Sequence, residues 1–135
     1  KEANQVLLST ETMTYEEKQL FYNTNIGVSK AFIPYVFETE KQLQSMYLPY
    51  NNIILFFKYV INRPRPHQVN SNIKTLNDST AQTPAYPAGH AMQAQILANK
   101  LSQRYPEKKD IFPFCRTRGA SCCHFCRRNP NFFRA

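Results

Sequence analysis

No acidic residue lies between Glu40 and Asp78, and none follows Asp110. The cations Lys58, Arg63 and Arg65 therefore have no carboxylate near them in the chain, and a histidine in the last stretch has none to orient its ring. A long hydrophobic run is also missing. The most apolar stretch, from Met46 to Ile61, is interrupted by Pro49, Asn51, Asn52 and Lys58, whereas a membrane-spanning helix needs about 20 apolar residues. No membrane span is expected, and a soluble domain is. The chain starts at Lys1 without a charged-then-apolar leader, so it reads as a mature form or a fragment. It has no internal repeat and no low-complexity tract.

At 135 residues the chain has the length of one domain with a single core. Its net charge of +8 is uneven: residues 1–99 hold 8 Lys+Arg against 7 Asp+Glu, and residues 100–135 hold 9 against 2. The basic balance is thus a property of the tail, and it argues poorly for a nucleic-acid partner. All 4 cysteines, Cys115, Cys122, Cys123 and Cys126, lie there too. The change in composition divides the chain into a helical domain over 1–112 and a Cys/Arg-rich tail over 113–135. In that tail Pro113, Gly119 and Pro130 are expected to break any helix.

The rest reads as all-α. Thr14 and Glu17 form a capping-box signature, and Leu20, Phe21, Thr24 and Val28 continue at helical spacing until Pro34 ends or kinks the helix. A second amphipathic helix is expected over Tyr35 to Met46. Leu48-Pro49-Tyr50-Asn51-Asn52 is a turn, with Asn51 or Asn52 as N-cap of the next helix. That helix, IILFFKYVI from Ile53 to Ile61, is apolar on every face, which predicts burial in a core. Residues 67–83 read as a polar loop, with His67 either lining a pocket or solvated. Ala91, Ala94, Leu97, Ala98 and Leu101 set a final helix that opens at Pro87-Ala88-Gly89-His90.

Lys58 in the middle of an apolar helix is the feature that points to chemistry. A buried ammonium must find an anion or lose its proton. Arg65 follows seven residues later, so two cations converge without a resident anion, and ammonium plus guanidinium suits phosphate or a similar oxyanion. The amides near Gly89 and His90, at a helix N-terminus, suit the same guest. Glycine there lets the backbone approach closely. His90 is placed to give a proton to a departing oxygen. Each residue taken singly has a plainer reading: Lys58 snorkelling to the surface, Arg65 an exposed loop arginine, His90 an ordinary helix residue.

Lys58, six residues, Arg65-Pro66, followed by the box Tyr86-Pro87-Ala88-Gly89-His90, resembles the phosphatidic acid phosphatase type 2 and vanadium haloperoxidase superfamily. Thr117-Arg118, five residues, His124 resembles the family's third motif, with threonine for serine. The resemblance covers about residues 51–110 and implies a helical bundle of the acid phosphatase type, expected to be incomplete because the family's bundle is longer. It implies metal-independent hydrolysis of small phosphomonoesters through a phosphohistidine. Lys58, Arg65 and Arg118 would hold the phosphoryl oxygens, Ala88 and Gly89 would line the anion site, His90 would act as acid and His124 as nucleophile. Ala88 stands where the family has serine, and Arg128 stands where it has the aspartate that orients the nucleophile.

Other readings stay open. The same cage holding vanadate would make a haloperoxidase, the one reading that brings in a cofactor. A divergent tail would leave a catalytically impaired anion-binding remnant. Cys115, Cys122, Cys123, His124 and Cys126 are soft ligands among arginines, as in a zinc knuckle that contacts nucleic acid, but adjacent Cys122 and Cys123 rarely serve one tetrahedral site.

Overall fold

The computed structural model describes residues 14–16, 27–73 and 82–120. Among the described residues the secondary structure is helical, with no strand, so the described part of the chain is all-α. The expected N-terminal helix falls largely on residues 17–26, which lie outside the described residues. Where description resumes, Gly27 is extended (φ −49°, ψ 151°) and Val28–Ala31 forms a 3-10 turn. A helix continuous through Val28 is therefore not what forms. A second 3-10 turn, Ile33–Tyr35, carries Pro34 in its first turn.

The amphipathic helix expected from Tyr35 begins later, as α1 (Glu40–Tyr47). Thr39 sets the start: its Oγ1 accepts from the Gln42 N–H at 3.4 Å and its own N–H donates to Gln42 Oε1 at 2.8 Å. This reciprocal pair satisfies two of the amides that a helix start leaves over. Before it, Val36 and Thr39 are extended with a bend at Phe37 between them, and the segment is tied down where Glu38 meets Arg104 at 2.5 Å and accepts from Tyr105 Oη at 2.9 Å.

A 3-10 turn (Leu48–Tyr50) leads into α2 (Asn51–Ile61). Neither Asn51 nor Asn52 is the N-cap. Tyr50 holds that position without a side-chain bond, and Asn51 Oδ1 instead accepts from Gln93 Nε2 at 2.8 Å, which ties α2 to α4. The expectation that α2 is buried all round is overturned. Only its Ile54 and Lys58 are buried, while Ile53, Phe56, Tyr59 and Val60 are each more than half exposed. The described chain offers α2 one neighbouring helix face, so one narrow stripe is covered.

α2 ends at Asn62, which takes the left-handed conformation (φ 47°) and donates its N–H to the Lys58 carbonyl at 2.8 Å. The short α3 (Pro66–Val69) follows and places His67 half-buried in helix rather than in loop. Then comes α4 (Gly89–Arg104), ending before a 3-10 turn at Pro106–Lys108, and finally α5 (Phe112–Ala120). α5 corrects the reading that Pro113 and Gly119 break any helix. Pro113 falls in the first turn, where its missing N–H costs nothing. Gly119 lies against Val28 and Ala94, where a Cβ would come within 3.2 Å of the Val28 carbonyl oxygen.

The main core is built on α4. Leu97 and Leu101 are fully buried against Leu43 of α1, Phe32, and Phe112 and Cys115 of α5. The rings of Phe32 and Phe112 stack with centroids 6.3 Å apart. α5 runs back along α4, so that Arg116 Nη1 donates to Gln95 Oε1 at 2.7 Å. The α2–α4 contact is a separate junction at the other end of α4, and it holds the site.

Candidate functional site

Lys58 lies in the last turn of α2 and is 6 % exposed. Its Nζ donates to the Pro84 carbonyl at 2.7 Å. Burial, followed by the charge of Arg65, holds its pKa below the ordinary 10.5. No carboxylate among the described residues acts on it.

Arg65 comes to the same place by a different route. Once Asn62 has ended α2, the chain runs extended into Pro66, with Arg65 at φ −77° and ψ 154°, the conformation a following proline favours. Gln68 Oε1 accepts from the Arg65 N–H at 2.8 Å and fixes this turn. The guanidinium then reaches across to Thr83. Nε donates to its carbonyl at 2.6 Å and Nη2 to its Oγ1 at 3.3 Å. The Ala85 N–H donates to the Arg63 carbonyl at 2.9 Å. Residues 83–85 are thereby stitched to the segment carrying both cations, just before α4 begins.

The first turn of α4 supplies the third component. Ala88 is the N-cap and gives no side-chain bond, so the leading amides of α4 have no such cap. A Cβ on Gly89 would lie 3.6 Å from Lys58 Cε and 3.9 Å from Ile54 Cγ2. These are ordinary contacts and Gly89 has no positive φ, so neither the packing of α2 on α4 nor the backbone conformation demands glycine here. His90 follows, half-buried. Its pKa is held below 6.5 by burial first, then by the charges of Lys58 and Arg65. Lys58, Arg65 and His90 thus form one electrostatically coupled group at a helix N-terminus.

Arg118 is exposed on α5, its guanidinium carbon 5.8 Å from the centre of the Phe114 ring, and its charge acts on Cys115. His124 lies outside the described residues, as do Cys122, Cys123 and Cys126. Cys115 is buried in the core, and burial is the main cause that pushes its thiol pKa up. That is the environment of a packing residue. Among the described residues no group of three or more His, Cys, Asp or Glu is placed to hold a metal ion, and no helix is long and apolar enough to cross a membrane.

Thr83 and Pro84 belong to this site, and Gln93 ties α2 to α4 through Asn51; the motifs name none of the three. Thr83 and Pro84 act mainly through backbone carbonyls, which carry no sequence signal. No family model matches the chain, and comparison with curated proteins and with solved structures likewise gives no match.

Proposed function

We propose that this chain binds the phosphoryl group of a small phosphomonoester between Lys58, Arg65 and the first turn of α4, and hydrolyses it without a metal. The observation that carries this reading is the buried ammonium of Lys58, whose proton affinity is lowered by burial and by a second cation, with no described carboxylate acting on it. A tetrahedral dianion would relieve that repulsion, and the ammonium and guanidinium would neutralise the oxygens on which charge builds in the transition state.

His90 then has a defined task. Its lowered pKa favours the neutral imidazole at pH 7. Burial is the main cause of that lowering, and an arriving dianion offsets the two charges that add to it, so His90 takes up a proton more readily when there is a leaving oxygen to receive one. In the proposed sequence an imidazole nitrogen of His124 attacks phosphorus, the ester P–O bond breaks, and His90 transfers its proton to the departing alkoxide. Water then attacks phosphorus of the phosphohistidine, the P–N bond breaks to release phosphate and free His124, and His90 takes the proton of the attacking water. The similarity of Lys58 to Pro66, Tyr86 to His90 and Thr117 to His124 to the phosphatidic acid phosphatase type 2 and haloperoxidase pattern supports these roles.

The test is hydrolysis of p-nitrophenyl phosphate together with orthophosphate binding. His90→Ala should lower kcat by about 10²–10⁴-fold, with a much smaller loss of orthophosphate affinity. Equal losses in both would remove the acid role. Lys58→Met should abolish both binding and turnover; it removes a buried charge but also takes the donor from the Pro84 carbonyl, so the two effects on stability oppose each other. Orthophosphate binding with no turnover in the unmodified chain would make it an anion-binding protein. Bromide oxidation on adding orthovanadate and peroxide would make it a haloperoxidase.

A further inference from the structure

α2 carries on its outer side a stripe that its own described neighbours leave bare. Ile53, Phe56, Phe57 and Val60 follow the i, i+3, i+4, i+7 spacing by which one helix packs on another. They are 53 %, 62 %, 45 % and 64 % exposed. Tyr59 at 61 % and Leu55 at 39 % widen the stripe on one side. The buried pair Ile54 and Lys58 lies on the opposite face, against Gly89. The rings of Phe56 and Phe57 meet edge to face, with centroids 5.6 Å apart, forming one aromatic ridge in the middle of the helix.

The area is large enough to decide something. Taking about 150–250 Å² for each large side chain, the exposed apolar residues of α2 present on the order of 700 Å². The largest patch on a typical monomer is about 300–600 Å², while a standard interface buries about 800 Å² per partner. The stripe has the size of half an interface, concentrated on a helix of about 16 Å.

We propose that this face pairs with its own counterpart on a second copy of the chain, α2 against α2, about a two-fold axis. The size of the stripe is close to what one partner of a stable dimer buries, and its charge pattern suits this occupant. The chain carries +8 overall, yet between Asn51 and Ile61 its one charged side chain is Lys58, which faces inward. Asn51 and Asn52 stand at one end of the helix and Asn62 at the other. An acidic partner would find no cation on the stripe to pair with, whereas two copies bring no like charges together. An isologous contact of this kind also closes on itself, so it yields a dimer and not a chain of molecules. Antiparallel pairing sets Ile53 of one copy near Val60 of the other and the aromatic ridges side by side.

Sedimentation equilibrium of the full chain tests this. The unmodified chain should show a monomer–dimer equilibrium, and Phe56→Glu should weaken it at least 100-fold while leaving the thermal midpoint of the monomer unchanged. Phe56→Lys should behave likewise, and mixing the Glu and Lys variants should restore a dimer. A chain that stays monomeric at every concentration, or that grows into open-ended aggregates, overturns the proposal. A Phe56→Glu variant that lowers the monomer's thermal midpoint also overturns it, since the stripe would then be covered within one copy. Failure of the mixed variants to pair overturns the two-fold arrangement.

Discussion

At the residue scale the informative group is His90, because its charge depends on what fills the site. With its pKa in the folded chain below the ordinary 6.5, the unfolded chain binds more protons in the interval between the two values. This contribution to stability is complete above 6.5 and is lost as pH falls from there to the folded value. A bound dianion raises the folded value, so binding takes up a proton and must tighten as pH falls through the same interval. Sulfate is the right probe, since it does not itself titrate there. Its affinity should rise as pH falls below 6.5, and the His90 imidazole resonances should shift their titration midpoint upward on adding it. A midpoint unmoved by sulfate would show that the anion does not reach His90.

Thr83 is the second residue worth changing. It grips the Nε–Nη2 edge of Arg65 through its carbonyl and its hydroxyl, and so fixes the plane of the guanidinium. Thr83→Val keeps the shape and the carbonyl but removes the hydroxyl. Orthophosphate affinity should fall by about 3–10-fold, in line with about 1 kcal/mol for one hydrogen bond, and Thr83→Ser should retain it. Isothermal titration of both variants decides the point. Nothing in the sequence distinguished Thr83 from the polar residues before it. Lys58, Arg65 and His90, by contrast, were legible because their types are rare in such settings and their spacing is specific.

At the element scale, what ends a helix decides where Arg65 can go. Pro64 reads as the natural breaker of α2, and it would force the chain out of the helix near Arg63. The helix has already ended two residues earlier, at a left-handed Asn62 whose N–H closes on the Lys58 carbonyl. Asparagine tolerates this conformation, whereas a β-branched residue does not. Asn62→Val should therefore destabilise the fold by about 1–2 kcal/mol and redirect the segment that carries Arg65. Chemical denaturation measures the first effect, and orthophosphate affinity measures the second. The start of α1 shows the same limit on reading. Val36 and Phe37 fit the helical period, yet the cap at Thr39 and the anchoring of Glu38 by Tyr105 and Arg104 hold the preceding residues outside the helix. Periodicity places apolar positions on a face but does not say which of two possible starts receives a tertiary anchor.

At the scale of the whole molecule, α4 serves two packing centres. Its middle and C-terminal turns, with Ala94, Leu97, Ala98 and Leu101, run through the main core, as their spacing in the sequence implies. Its first turn belongs to the α2 junction, where the contact is made by Ile54 and Lys58 against Gly89. The sequence alone does not reveal this division, because an apolar run such as IILFFKYVI looks like core wherever it lies, and only the number of neighbours decides how much of it is covered. The division makes stability and site integrity separable. Leu97→Ala removes a fully buried side chain from the main core and should cost about 2–5 kcal/mol, leaving orthophosphate affinity intact below the lowered thermal midpoint. Ile54→Ala removes the apolar contact that sets α2 against α4 beside Lys58. It should lower the midpoint less than Leu97→Ala does and weaken orthophosphate binding more, since the ammonium loses its fixed distance from His90. If both variants lost stability and affinity in the same proportion, the two centres would be one cooperative unit and the junction could not adjust independently of the core.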